Sequence, residues 1–503
     1  MRSMLKVLAV AALLYVLMFH GLGTRELWSS HEARAAQDAQ SLLDSGDWRL
    51  PHLFDGRAEL QKPPLYYWLT ASLGWMLGQV DAVAVRLPAV LGSILTGLAL
   101  FFLLRQSGNT RAGWLAMIVL WTMIHFTWMS RVGRIDMPLT AAVTWTLVSF
   151  WTGMKAVGWR RQAWYGLGYV CLLAGVMLKG PIAGVLVAAV ILPSWMVSLW
   201  LNHHAERDDY KPGWTSFWIS TLWGGAGIVV IVLAWSWWMN DFTKGKFVEE
   251  FVIKHNLQRG MGGDEQLDGH VHAWWFYLAR FWLDTAPWGL LLPVALWALY
   301  RRQITSSLAW LGLVWFVSIL GVMSVMQYKR ADYLLPAYPG LALLIGICMD
   351  GWWMQLSEQR LWWFKRITVS GLVCITLGWF TYIQWIMPQW EPQRAMKPFA
   401  HLVRGYLPAP GQVILFRIDS HQLAWELGKK VERIWEWENL SWWATRPAPI
   451  FVIMPENYAA EWKEQLKDGE LIPLKHNADL NNGKHDVPLV LFVNGYGKAL
   501  AKR

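Results

Sequence analysis

Cysteine is nearly absent: 503 residues contain three, Cys171, Cys348 and Cys374, each inside an apolar run. That excludes a disulfide-stapled fold and predicts neither a disulfide nor a cysteine metal cluster. Charge is also scarce, at 16% of residues, with 35 acids against 45 lysines and arginines. No internal repeat is visible, and no nucleic-acid partner is expected. No small-x-small cleavage signal follows the first apolar segment, "LKVLAVAALLYVLMF", so that segment is read as a retained anchor.

Apolar sequence is abundant. Hydrophobic residues make up 55% of the chain, 39 tryptophans are present, and mean hydropathy is +0.26. Stretches near twenty residues recur, each long enough to span a hydrocarbon core of ~30 Å. The tryptophans gather at the ends of such runs ("WSWWMNDF", "HAWWFYLARFW", "DGWWMQ"), where indole favours the membrane interface. The fold class is therefore an α-helical polytopic membrane protein.

Eleven spans are expected, with two either way: 5–22, 83–104, 112–129, 138–154, 163–178, 182–201, 216–239, 286–300, 308–326, 333–350 and 367–387. With the N-terminus inside, each inner loop, at 105–111, 155–162, 202–213, 300–303 and 357–366, carries at least two Lys or Arg, as the positive-inside rule asks. The segment 63–78, "PPLYYWLTASLGWMLG", is left out. It is short, opens with Pro-Pro, and as a span would invert every later loop. It is read as a juxtamembrane or re-entrant piece of a first outer loop, 23–82. The division expected is a transmembrane domain over 1–387 and an outer domain over 388–503. In the latter, "QVILFRI", "APIFVIM" and "PLVLFVN" read as buried strands, with "HQLAWELGKK" and "NYAAEWKEQLKDG" as amphipathic helices between them. The result is a small α/β domain of roughly 110 residues without a nucleotide-binding glycine loop.

Several charges fall on the side the rule leaves neutral: Glu32, Arg34, Lys62, Arg131, Arg134, Asp136, Lys179, His255, Arg259, Lys329, Arg330 and Asp332, followed by Tyr333. Singly, each has an ordinary explanation. Lysines and arginines near span ends snorkel, Arg34 and Asp38 are an i,i+4 pair, and Glu32 three residues after Ser29 makes a capping box. Jointly, many cations and few carboxylates on one face point to an anionic, phosphorylated substrate, with a carboxylate left for chemistry. "SSHEARAAQ" is expected to open a surface helix turning Ala35, Ala36, Ala39, Leu42 and Leu43 towards the bundle or lipid.

In order, "HEARAAQDA…SGDWRLPHLFDG…LQKPPLYYWL", "RIDMPLTA", "LKGP" and "KRADYLLPAYPGLALL" resemble the bacterial aminoarabinose transferase / protein mannosyltransferase-like glycosyltransferases of the GT-C fold, over roughly residues 1–350. The resemblance implies sugar transfer from a polyprenyl-phosphate carrier to a lipid, glycan or protein acceptor, on the outer face of the bacterial inner membrane. It implies carrier-phosphate binding by Arg34, Lys62 and Arg259. A cavity would be lined by Arg134, Lys179, His255, Lys329, Arg330 and Tyr333. This chain has His31-Glu32 where the family often has Asp-Glu, and Gln61-Lys62-Pro63 where it often has Glu-Lys-Pro. Those departures leave a divalent metal open and move the catalytic carboxylate, a base giving an inverted linkage, to Glu32 or Asp136. The alternative is a lipid or solute transporter with a charged cavity.

Overall fold

A computed structural model describes residues 2–204, 213–258, 271–301, 303, 306–407, 412–428, 430–481 and 483–499. The chain forms two compact units. One comprises Met1–Phe19, Leu60–Tyr66 and Arg86–Gly378; the other comprises His20–Glu59, Tyr67–Val85 and Trp379–Arg503.

All eleven apolar stretches fall on helical structure. Among the described residues, six helices are long and apolar enough to cross a membrane, from Ala82–Gln106 to Glu358–Gln389, or up to eight if each of two bent pairs is one span. Asp136–Lys155 and Gly158–Lys179, diluted by threonine, tryptophan and glycine, are not among them. The expected span at 286–300 is bent: Phe276–Asp284 and Trp288–Tyr300 meet at 108°, and Thr110–Trp121 meets Ile124–Ser130 at 73°. The two breaks support each other. Ile124 N–H donates to the Ala286 carbonyl at 3.2 Å, and Trp288 Nε1 donates to Thr122 Oγ1 at 2.7 Å. The first bond satisfies backbone groups that the bends remove from their helices, and the second ties the two breaks together through side chains. The segment at 63–78 forms the 13-residue helix Leu65–Leu77, about 20 Å long and shorter than the hydrocarbon core.

Within the first unit, helix Tyr338–Gln355 is buried continuously from Tyr338 to Asp350. Its sequence, "YPGLALLIGICMD", is apolar all round, as an encircled helix requires. Glycines let its neighbours approach at backbone distance. A Cβ on Gly340 would lie 2.8 Å from the Gly312 carbonyl oxygen of helix Ser307–Val325, and one on Gly346 would lie 2.6 Å from Ala116 N. Gly340→Ile is therefore expected to destabilise by at least ~1–3 kcal/mol, read as a lowered melting temperature in detergent. Gly371→Ile, on an open helix face with nothing within 4 Å, should leave it unchanged.

In the second unit, five strands form one mixed sheet in the order β2-β1-β3-β5-β4: β1 Gln412–Phe416, β2 Glu432–Ile434, β3 Ile450–Pro455, β4 Leu471–His476 and β5 Leu489–Asn494. β1 runs parallel to β2 and β3, while β5 runs antiparallel to β3 and β4. Alternate side chains divide between two cores. Val413, Leu415, Phe451, Ile453, Leu491 and Val493 pack against helices Lys397–Tyr406 and His421–Leu427. Ile414, Phe416, Val452, Met454, Val490 and Phe492 pack against helix Trp437–Ala444. A central strand buried on both faces reads as a continuous apolar run, which is why β1, β3 and β5 show in the sequence. The three-residue β2, the half-exposed edge strand β4 and helix Trp437–Ala444 do not.

The opening helix spans Ser30–Ser45 and belongs to this unit. Ser29 caps it, accepting from His31 N–H, and Gly46 ends it with φ +66°. Ala35, Ala36, Ala39 and Leu42 are buried and Leu43 is half-buried, but the described neighbour of this helix is His421–Leu427 of the C-terminal domain and not the bundle or lipid that the sequence leads one to expect.

Candidate active site

Helices Asp136–Lys155 and Gly158–Lys179 are joined by two residues, so they run antiparallel, and the start of the first lies beside the end of the second. A carboxylate suits a helix N-terminus and an ammonium suits a C-terminus. Asp136 occupies the first place and Lys179 the second, and their side chains meet at 2.5 Å. Gly153 and Gly168 keep the hairpin tight against Tyr165 and Phe150.

Further residues of the first unit join this pair. Arg134, from the turn before the hairpin, reaches Asp136 Oδ2 with Nε at 3.4 Å and Asp332 Oδ2 with Nη1 at 2.5 Å. Arg330 Nε lies 3.4 Å from the same Asp332 oxygen. Asp332 is presented by the short 3-10 helix Ala331–Ala337, and Tyr333 on that helix places its ring 4.2 Å from the Lys179 ammonium, a cation–π contact. Tyr277 fixes the Arg330 backbone, donating to its carbonyl at 2.9 Å and accepting from its N–H at 3.2 Å. Lys62, half-buried in the same unit, adds its field at Asp136. Lys62, Arg134, Lys179 and Arg330 thus surround two carboxylates, an excess of two positive charges.

Two sequence candidates, Lys329 and Arg131, donate to backbone carbonyls. The buried Lys329 ammonium donates to the carbonyls of His272, at 2.9 Å, and Met326, clamping its own loop. His255 is half-buried in the irregular helix Val248–Gln258. Arg259 lies outside the described residues. Arg131 is buried, and its guanidinium donates to the Leu17 carbonyl at 3.2 Å.

Glu32 and Arg34 lie in the second unit. Glu32 is fully buried, and both its oxygens receive Arg25, at 3.1 and 3.4 Å. Arg34 pairs with the buried carboxylate of Glu59. Burial works against the Arg34 charge, but Glu59, Tyr67 and Asp38 together outweigh it and hold the guanidinium above its ordinary range. Arg25 and Glu59 were not singled out from sequence. Only the fold brings them to partners seven and twenty-five positions away.

The C-terminal part of this unit holds the opening helix in place. Gln37 Nε2 donates to the His421 carbonyl at 2.8 Å, while Gln37 Oε1 accepts the Phe54 N–H at 3.0 Å. Phe54 stacks on Trp425, and Asp55, Arg57, Asp419 and Arg433 form one ion-pair network. Glu26 accepts the backbone N–H groups of Met396, at 2.8 Å, and Lys397, at 3.1 Å, capping helix Lys397–Tyr406.

Burial and the neighbouring Glu26 push the Glu426 carboxyl up to about 7. A carboxyl whose folded value is raised contributes most below its unfolded value of 4.5. That contribution is lost as pH rises through about 7. Glu426→Gln should therefore stabilise the protein by about 1–2 kcal/mol at pH 8, discounted for solvent screening, with the gain disappearing near pH 4. Melting temperatures of both proteins across that range check it.

Among the described residues, no group of three or more His, Cys, Asp or Glu side chains gathers to hold a metal. Asp136 and Asp332 both face cations, so the residues at this cluster do not fit a divalent ion.

Residues 3–243 match the family model for dolichyl-phosphate-mannose-protein mannosyltransferase. The structure is similar to that of ArnT from Cupriavidus metallidurans bound to undecaprenyl phosphate, with TM-score 0.80, 16% identity and 98% of each chain covered. The fold is therefore that of the GT-C membrane glycosyltransferases. Two undecaprenyl phosphate-alpha-4-amino-4-deoxy-L-arabinose arabinosyl transferases are similar in sequence. That of Pseudomonas fluorescens (strain Pf0-1) is 28% identical over 396 residues, 78% of this chain and 67% of that protein. That of Pectobacterium carotovorum subsp. carotovorum (strain PC1) is 31% identical over 351 residues, 69% of this chain and 58% of that protein. The chain belongs to the aminoarabinose transferase / protein mannosyltransferase-like family of glycosyltransferases. The alternative of a transporter is set aside.

Proposed function

We propose that this protein transfers a sugar from a polyprenyl-phosphate carrier to a lipid acceptor of the lipid A type, on the outer face of the bacterial inner membrane. The observation that carries the reading is the cluster in which Lys62, Arg134, Lys179 and Arg330 exceed Asp136 and Asp332 by two charges. A phosphodiester donor carries one negative charge, and the released phosphate monoester carries close to two at pH 7. Such a cluster binds the departing phosphate more strongly than the donor, and that difference is what accelerates the chemical step. Relatives named for undecaprenyl-phosphate-linked aminoarabinose transfer support a donor of this class.

In the reaction the acceptor hydroxyl oxygen bonds to the anomeric carbon as the bond from that carbon to the phosphate oxygen breaks. The electron pair stays on the phosphate, and the hydroxyl proton passes to a carboxylate. Displacement from the opposite face inverts the linkage. Asp136 has each oxygen facing a cation, Lys179 on one side and Arg134 on the other. It is suited to positioning them. Glu32, the other carboxylate of the sequence pattern, with Arg25 on both its oxygens, is proposed as the base, and Arg34 as a further contact to carrier phosphate.

Lys179→Gln and Arg330→Gln should each raise KM for a synthetic polyprenyl-phosphate sugar about 10- to 100-fold, since a hydrogen bond to a charged group contributes ~1.5–3 kcal/mol. Sugar transfer by the purified protein, assayed by mass spectrometry of the product lipid, gives the result. Unchanged donor kinetics in both variants would remove the carrier phosphate from this cluster.

A further inference from the structure

A second group of cations lies in the first unit, among loop 105–111 and residues 350–366, and the transfer reaction makes no use of it. Arg111, from the start of helix Thr110–Trp121, pairs through Nε with Asp350, whose other oxygen receives Asn109 Nδ2 at 2.9 Å. The Arg111 guanidinium also lies over the Trp353 ring, 5.5 Å from its centroid, and the Lys365 ammonium lies over the same ring at 4.8 Å. One turn away, Arg366 sits 3.6 Å from the centre of Trp362. Trp362 and Trp363 are exposed and meet edge to face.

Charge separates this corner from an ordinary interfacial belt. At the other described indoles of the first unit the pairing with a cation is one to one: Lys155 with Trp151, Arg160 with Trp159, Arg301 with Trp297; in the second unit Trp28 also carries two, Arg25 and Arg394. At Trp353, cations from two separate helices converge on one ring. The corner's buried acid, Asp350, is already taken by Arg111 and Asn109. Among the described residues, Arg360, Lys365 and Arg366 meet no carboxylate. The exposed Glu358, at the start of the same helix, makes no described ion pair with them; like charges held together repel, and an anion placed among them relieves that repulsion. From this corner, helix Glu358–Thr381 exposes Val369, Val373 and Leu377, at i+3, i+7 and i+11 from Arg366 and so on one face, an apolar track of the kind acyl chains follow.

We propose that the Trp353 corner binds the phosphate headgroup of an anionic phospholipid, with the acyl chains lying along helix Glu358–Thr381. Arg366 and Lys365 meet the phosphate, and the tryptophans mark the depth at which headgroups lie.

Native mass spectrometry of the purified full-length protein, titrated with phosphatidylglycerol or phosphatidylcholine, tests this. The native protein should retain phosphatidylglycerol at least about tenfold better. Each basic residue near a headgroup contributes roughly a fivefold preference, so Lys365→Gln with Arg366→Gln should cut phosphatidylglycerol retention about twentyfold. Both side chains are exposed, and Arg111 with its Asp350 pair is left intact, so the variant keeps its fold. Arg160→Gln, a one-to-one pair elsewhere, should change retention little. Equal retention of the two lipids by the native protein, an unchanged double variant, or an equal loss in Arg160→Gln would each overturn the site.

Discussion

Glu32→Gln is expected to lower turnover by about 10²–10⁴-fold, the range supplied by a positioned general base. The difficulty is that Glu32 also neutralises the buried Arg25. Removing one member of a buried pair leaves the other charge uncompensated, at a cost of roughly 3–5 kcal/mol. Loss of activity alone is therefore ambiguous, and the informative protein is the double variant Arg25→Met, Glu32→Gln. It removes both charges and restores most of the melting temperature. If Glu32 takes the acceptor proton, turnover stays low in the double variant while polyprenyl phosphate still binds. If Glu32 serves only to hold Arg25, turnover recovers together with stability, and the base must be sought elsewhere. Asp136→Asn, assayed alongside, distinguishes the same two roles at the other carboxylate.

The second large effect is expected at Arg134. This side chain touches Asp136 through one nitrogen and Asp332 through another, so it joins the hairpin to the 3-10 helix Ala331–Ala337. Arg134→Met leaves two buried carboxylates with less positive charge around them, and a loss of roughly 3–5 kcal/mol should follow, together with loss of carrier binding. Arg134→Lys keeps the charge but not the fork that reaches two acids. It should fold, with donor KM raised about tenfold or more. Adding Asp332→Asn to Arg134→Met removes a carboxylate left with Arg330 as its described ion-pair partner and should recover part of the melting temperature without recovering carrier affinity. Normal stability and normal carrier binding in Arg134→Met would show that this cluster organises neither.

The sequence makes the cluster legible because cations at the outer span ends run against the positive-inside rule. Arg134, Asp136, Lys179, Arg330 and Tyr333 all interrupt apolar runs, and the fold gathers them. The role of Lys329 is not legible: beside Arg330 in "QYKRADY" it looks equivalent, and only three-dimensional structure shows its ammonium spent on two backbone carbonyls. Arg25 and Glu59 escaped for the opposite reason, since their partners are assigned by tertiary folding rather than by helical spacing. The C-terminal strands divide in the same way. β1, β3 and β5, buried on both faces, are continuous apolar words, whereas β2 and β4 at the edges carry polar residues that periodicity reads as loop. No local pattern announces that Gln37 reaches His421, because the two are 384 positions apart.

That long-range bond sets a schedule for synthesis. The opening helix needs the His421 carbonyl to satisfy Gln37, and Glu26 needs the backbone of Met396 and Lys397. The sheet supporting those partners closes only when β5, ending at Asn494, is made. At about 5–20 residues per second, the ribosome takes roughly 20–90 s to travel from the end of the first loop to that strand. Through that interval Glu26 and Gln37 wait without their C-terminal partners, and the loop that carries them is exposed to proteases. A chain stopped after its last membrane helix would keep them waiting permanently.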